Sequence, residues 1–264
     1  MVANAFAENG KPTKNTLLPV PAQATVADSL PKQKPQLSLS NAFTNSYYWR
    51  GITFNEGLML QPSATVTYKN WFGTAWSNVV AFETGTAAFV PEFDFTVGYT
   101  YECNNLTVSP QANVFFYPSN STHVATVELG AEMSYETQNV GFYLNPNVDA
   151  GDNKGGVYID YGLFKSGDID QRWSYDARFL LGWGNKTFRS YYEPVPVVET
   201  NANPMLLKPE SMKSMRLQGT AVYRAGERLS LRPQLIVFRN FMTEYTLQHD
   251  NFRLNGSLTC AYAF

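Results

Sequence analysis

The chain has 264 residues, 44% of them apolar and 15% aromatic but only 16% charged, and its formal net charge is −2. So few charges do not clothe a soluble surface, and near-neutrality supplies no electrostatic footprint for nucleic acid or an acidic partner. No apolar run reaches the roughly 18 residues that a membrane-spanning helix needs, which leaves a closed barrel as the remaining way to satisfy the backbone in lipid.

In chain order, residues 1–35 stand apart. Ala5-Phe6-Ala7 has the small-x-small form of a leader cleavage site, with the cut expected before Glu8. Pro12, Pro19, Pro21, Pro31 and Pro35 then punctuate an aperiodic stretch that reads as an extended arm. Its apolar patch, Leu17, Leu18 and Val20, is the candidate partner-binding element. From Gln36 onward the pattern turns to alternation with period two, the mark of half-buried strands.

About twelve such runs follow, which is within the barrel range. The first covers Leu37 to Trp49. The second carries Leu58, Leu60, Ala64, Val66 and Tyr68 on one face. The third, Trp71 to about Val80, has no clear phase. The next six run Phe93–Tyr101, Leu106–Phe116, Ala125–Tyr135, Val140–Val148, Val157–Leu163 and Trp173–Trp183. Then come Met215–Tyr223, Leu229–Val237 and a terminal run with Leu254, Gly256, Leu258, Cys260, Tyr262 and Phe264 on one face. An alternating last strand that ends on an aromatic residue resembles the closing strand of bacterial outer-membrane barrels, the segment read by their assembly machinery.

The connections alternate as well. Those at Lys69-Asn70, Glu102 to Asn105, Glu136 to Asn139, Lys165 to Gln171 and Arg224 to Arg228 are short. Those at Val80 to Pro91, Asn147 to Gly155, Gly184 to Ser214 and Arg239 to Asp250 are mostly longer. Short periplasmic turns and long external loops are the outer-membrane arrangement. It puts both termini in the periplasm, and it lines up Tyr68, Tyr101, Tyr135, Tyr223 and Tyr262 as an interfacial girdle. The outer faces apart from the third run, about sixty residues, carry no charge where the chain's own charge content would place about ten, as hydrocarbon requires. Pro62, Pro110, Pro146 and Pro233 fall inside runs, where a missing N–H calls for a bulge or a break in pairing.

The expected fold is therefore all-β. It is a transmembrane antiparallel up-and-down β-barrel of about twelve strands over residues 36–264, with an extended N-terminal periplasmic arm over 1–35. Its surroundings are outer-membrane lipid and lipopolysaccharide. The inner faces read as small and polar, with charges among them. Asp94, Glu128, Glu132, Asp160 and Asp176 occupy one arc of the wall; Arg178, Arg216, Arg232 and Arg253 occupy the other. In a water-filled bore this makes a transverse field that selects ions and orients dipolar solutes. The competing reading is that these charges pair and fill a narrow lumen.

Catalytic signals are thin. His123 with Ser119 or Ser121, and His249 with Asp250, are the local candidates for hydrolytic chemistry. Neither completes a triad, so no enzyme is expected. The ligand count supports no metal, and nothing calls for a cofactor. Cys103, in an expected turn, and Cys260 read as unpaired thiols.

Tyr47-Tyr48-Trp49-Arg50-Gly51-Ile52 follows the first run and Trp76-Ser77-Asn78-Val79 closes the third. Together they resemble a proteobacterial outer-membrane family of unassigned function with Y-x-(aromatic)-R-G-I and W-S-N-like segments. The resemblance implies a barrel with a channel-like role and supplies no catalytic residues. In strand number alone the chain is also similar to the nucleoside channel of enteric bacteria. From the residues themselves, Trp49 and Arg50 belong at the external rim. There Gly51 turns the chain, and Arg50 anchors the loop, stacks on Trp49 or Tyr48, or meets lipopolysaccharide phosphate. The functional expectation is passive diffusion of small polar solutes. Its rival is a structural barrel whose arm holds a periplasmic protein or peptidoglycan. Whether the connection 184–214 enters the bore is open at this level.

Overall fold

The structure, a computed structural model, describes residues 34–82, 89–118, 124–192, 211–241 and 252–264. The arm with Leu17, Leu18 and Val20, both histidines with Ser119, Ser121 and Asp250, and residues 193–210 of the long connection lie outside them.

The strands are β1 (Gln36–Trp49), β2 (Ile52–Tyr68), β3 (Trp71–Phe82), β4 (Phe89–Tyr99), β5 (Tyr101–Cys103), β6 (Leu106–Phe116) and β7 (Ala125–Glu136). They continue with β8 (Gly141–Asp149), β9 (Val157–Asp168), β10 (Trp173–Gly184), β11 (Met212–Arg224), β12 (Leu229–Phe241) and β13 (Arg253–Ala263). Every neighbouring pair is antiparallel. β4 and the three-residue β5 share one place in the wall, both against β6, so the ring has twelve positions. Cys103, expected in a turn, is the last residue of β5. The ring closes where β1 meets β13, from Ser38 opposite Ala263 to Thr44 opposite Ser257. The Phe264 N–H extends the seam by donating to the Leu37 carbonyl at 2.9 Å. Closure matters because each unpaired backbone group in hydrocarbon costs several kcal/mol.

One end of the ring carries both strand termini and the short turns. Lys69 (φ 54°) and Asn104 (φ 54°) take the left-handed conformation in two of them. In a third, the Asp170 carboxylate accepts N–H bonds from Trp173 and Arg172, each at 2.7 Å. Those bonds, Trp173's first, hold its pKa below the usual carboxylate range. The opposite end, the loop end, gathers the other connections.

Alternation sorts the side chains as expected. Leu39, Phe43, Val66, Phe95, Val97, Leu129, Phe142, Leu163, Phe179, Leu217, Leu235 and Leu258 stand exposed on the outside. Among the described residues the belt between the ends carries no charge. Trp71 with Tyr99, Trp173 with Tyr223 and Tyr262 with Phe264 form ring pairs at the turn end, with centroids 5.2, 4.8 and 4.8 Å apart. β3 is inverted in weight: it turns Phe72, Thr74, Trp76, Asn78 and Val80 inward and small Gly73 and Ala75 outward, which is why its phase was unreadable.

The four prolines obey one rule. Each keeps its register with one neighbour and coincides with a gap toward the other. β2–β3 pairing skips from Leu60–Val79 to Ser63–Trp76 at Pro62. The β6 ladder passes from β4 at Gln111 to β5 at Val108 around Pro110. β7–β8 pairing skips from Gly130–Asn147 to Met133–Leu144 at Pro146. β11–β12 pairing skips from Thr220–Gln234 to Tyr223–Leu231 at Pro233. The missing donor always falls where no partner is required.

The two faces of one strand provide a test. Leu235→Arg, on the outside, is expected to cost about 2–4 kcal/mol, and Gln234→Arg, one residue away on the inside, far less. Urea titrations of folding into lipid vesicles would report both; equal costs would contradict the assignment of faces.

Candidate functional site

The site is built by the first hairpin. Arg50 (φ 49°) and Gly51 (φ 88°) form a two-residue turn between paired Trp49 and Ile52, with positive φ at both positions as a type I′ hairpin requires. No external loop follows β1. Below the turn the β1–β2 register breaks twice, between Thr44 and Ser46 and between Tyr47 and Tyr48. Gly57, at φ 119°, faces the first break. Bulges at matching heights on both strands bend a hairpin sharply, and here they bend it off the wall into the bore. Asn255 of β13 marks the departure. Its Nδ2 donates to Thr44 Oγ1 (3.0 Å), Ser46 O (2.8 Å) and Ser46 Oγ (2.8 Å), in place of the ladder that stops at Thr44.

The hairpin reaches the far side. A Cβ added at Gly51 would lie 2.9 Å from Ser214 Cβ on β11. Arg50 donates from both terminal nitrogens to both carboxylate oxygens of Glu128 on β7, at 2.7 Å each. Its guanidinium also lies 4.2 Å from the Trp49 ring centre and 4.9 Å from that of Tyr158. Trp49 and Arg50, expected at the external rim, are thus turned inward, 6% and 8% exposed. Arg50 is committed to Glu128 and three aromatic rings, Trp49, Tyr158 and Phe188, rather than presented to lipopolysaccharide.

Each face of the hairpin packs on a different wall. Tyr47 meets Trp76 at 5.8 Å between centroids and donates its hydroxyl to Glu92. Trp49 meets Phe115 (5.7 Å), Phe188 (5.8 Å) and Tyr192 (4.8 Å). On the opposite face Tyr48 stacks on Phe238 of β12 at 3.5 Å, beside Ile236. The two sequence segments singled out above, Tyr47–Ile52 and Trp76–Val79, are therefore the hairpin tip and part of its docking wall.

Phe188 belongs to a short helix, α1 (Lys186–Tyr192), in the connection after β10. Asn185 caps it, accepting the Phe188 N–H at 2.9 Å and the Val157 N–H at 3.0 Å while donating to the Gly155 carbonyl at 2.8 Å. The described start of the connection thus folds into the loop end of the bore, where Phe188 is fully buried.

The inner wall is less uniformly small and polar than its composition promised. Phe72, Trp76, Phe115, Tyr143, Tyr158, Leu180, Ile236 and Phe238 all face inward and are buried. Glycines make room for some of them. A Cβ on Gly98 would meet the Phe72 ring at 2.2 Å, and one on Gly141 the Phe164 ring at 2.2 Å. These glycines are covered by flat rings rather than left as open bore. Towards the turn end the wall is short and polar, with Thr65 bonded to Thr74 (3.0 Å), Thr96 to Asn113 (2.8 Å) and Gln234 to Thr220 (3.0 Å).

The acid and arginine arcs are both on the inner face. Asp94 lies on β4, Glu128 and Glu132 on β7, Asp160 on β9 and Asp176 on β10. Arg178 lies on β10, Arg216 on β11, Arg232 on β12 and Arg253 on β13. Where the arcs meet, charges pair: Arg178 with Asp176 at 2.6 Å and Arg216 with Asp160 at 3.4 Å. Arg253 contacts Glu56 of the hairpin at 3.1 Å. Sequence reasoning missed Glu92 and Asp149, both buried on the acidic side. It also missed that Glu128 is claimed by Arg50. The signal available was Tyr47-Tyr48-Trp49: three consecutive large aromatics cannot all keep a period of two. Among the described residues no group of three potential metal ligands occurs, and both cysteines are free thiols.

No protein-family model matches the chain, and no curated protein matches it. Solved structures do share its architecture. The COG4313 outer membrane channel from Pseudomonas putida F1 is 11% identical, with 92% of this chain and 100% of that one aligned at a TM-score of 0.50. The KdgM porin, solved with disordered oligogalacturonate, is 7% identical, with 87% and 99% aligned at 0.51. At such identity the likeness establishes the barrel fold and nothing finer.

Removing one partner of a buried ion pair leaves a stranded charge. Arg50→Met is expected to cost about 3–5 kcal/mol, with most of it recovered in Arg50→Met/Glu128→Leu. A double-mutant cycle on refolding equilibria would show this as coupling, and additive losses would mean that the pair is not formed.

Proposed function

We propose that the protein is an outer-membrane channel for passive diffusion of small polar solutes, with both termini periplasmic and the loop end outside. The observation that carries the reading is the closed ring with an uncharged outer belt and a polar, charge-bearing inner face. The architecture it shares with an outer membrane channel and a porin supports the same direction. The two sequence segments that form the hairpin and its wall also support placing the chain with the outer-membrane family of unassigned function that they resemble.

The hairpin is then the constriction. It lies across the bore, and its tip is held by side chains alone, because β1 and β2 ladder only with each other, β13 and β3. The wall pairs persist through Thr44–Ser257 and Leu58–Phe82 beneath the bend. Swinging residues 45–57 away therefore opens the bore without unzipping the ring. The members of the acid and arginine arcs that the hairpin does not claim set selectivity.

Planar-bilayer recordings test the reading. The refolded protein should conduct. A disulfide between Gly51→Cys and Ser214→Cys, in a background lacking Cys103 and Cys260, should silence it until reduced. Arg178→Gln/Arg216→Gln should move ion selectivity toward cations. If even a barrel with residues 46–56 cut to a tight turn carries no current, it is not a channel.

The packed loop end favours a second reading, a structural barrel whose arm binds a periplasmic protein or peptidoglycan through Leu17, Leu18 and Val20. Deleting residues 8–34 should then abolish co-purification of an envelope partner. Retention of that partner by the deleted protein would rule out the tether.

A further inference from the structure

The outer face carries charge at very few places. Among the described strand residues that point away from the bore, the charged ones are Lys165, near the turn end, and Lys213 and Arg239 at the loop end. The latter two are neighbours. Lys213 on β11 pairs with Phe241 on β12, and Met215 pairs with Arg239, so the two cations are diagonal partners across one ladder. Directly opposite Lys213 on its other side is Trp183 of β10. The Arg239 guanidinium lies 5.1 Å from the Phe241 ring centre and 5.4 Å from that of Phe252. Both rings are exposed, at 40% and 58%.

Height decides what this group meets. Tyr223, in the turn-end girdle, lies on the same strand as Lys213. Ten residues at about 3.3 Å each, on strands tilted about 40°, rise about 25 Å, the thickness of the apolar band of an outer-membrane barrel. One hydrocarbon thickness above the girdle is the plane of the other leaflet's headgroups. Cations at that height meet an anionic plane, because its lipid headgroups carry phosphates. Trp183, Phe241 and Phe252 are the amphipathic and apolar neighbours such a boundary favours.

We propose that Lys213 and Arg239 form a binding site for a phosphate group of an outer-leaflet lipid, with Trp183, Phe241 and Phe252 packing on the acyl chains and glucosamine or glycerol moiety below it. Lys213 supplies a mobile point charge and Arg239 a planar fork pre-aligned by two aromatic faces. The site offers the lipid contact that was one of the roles open to Arg50 in the sequence, and it rests on the membrane orientation proposed above. It is independent of whether the bore conducts.

The test uses the full chain refolded in neutral detergent and three probes: bis-phosphorylated lipid A, the same lipid after phosphatase treatment, and inorganic phosphate. Bis-phosphorylated lipid A should raise the unfolding temperature and shift Trp183 emission to the blue. The dephosphorylated lipid and inorganic phosphate should do neither. Lys213→Gln/Arg239→Gln should lose at least tenfold in apparent lipid affinity, while Lys165→Gln stays like wild type and single-channel current is unchanged in both. Equal responses to phosphorylated and dephosphorylated lipid, or an unaltered response in Lys213→Gln/Arg239→Gln, would overturn the site. Loss of current with lipid binding intact would instead count against the channel reading alone.

Discussion

Backbone satisfaction in hydrocarbon is the constraint from which the rest follows. A sheet immersed in lipid has no water to bond its edges, so it closes or it does not exist. Here closure is made by β1 against β13, and the seam is fully laddered only from Ser38 to Thr44. Above Thr44 β1 is free to leave, because Asn255 and Asn45 take over the polar groups that the ladder abandons, the latter accepting the Gly256 N–H at 2.9 Å. The hairpin in the bore is affordable because the ring beneath it is already complete. The same logic governs the prolines, each of which sits where the wall tolerates a missing bond on one side.

The barrel was legible because its outer solvent is uniform. Hydrocarbon accepts only apolar side chains in the belt, so period-two alternation from Phe93 through Val237 marks strands, faces and most boundaries directly. The terminal strand was the clearest case. β5 escaped notice only because it is three residues long and continues the wall position of β4.

The interior was less legible, since a bore accepts any side chain that finds a partner. Phe72, Trp76 and Phe115 look like lipid-facing residues in sequence, yet they face inward, Phe72 over Gly98 and the other two against Tyr47 and Trp49 of the hairpin. β3 shows the ambiguity best: with Trp76 inside and Ala75 outside, hydrophobicity points the wrong way. Nothing local ties Arg50 to Glu128, which lies 78 positions away. The seven-residue helix α1 is too short for its periodicity to emerge from the connection around it, although Asn185 is a typical cap.

The aromatic cluster around Trp49 and Phe188 draws on β1, β2, β3, β6, β9 and α1. Those parts surround a common interior only when the ring is shut, and the seam that shuts it joins residues more than two hundred positions apart. In a water-soluble domain a cluster of this kind drives collapse at the outset. Here its full set of contacts requires the closed ring, an enclosure that lipid stabilises from outside. Maturation would then have two stages: a hollow cylinder first, and an inner condensation around Arg50 and Trp49 afterwards.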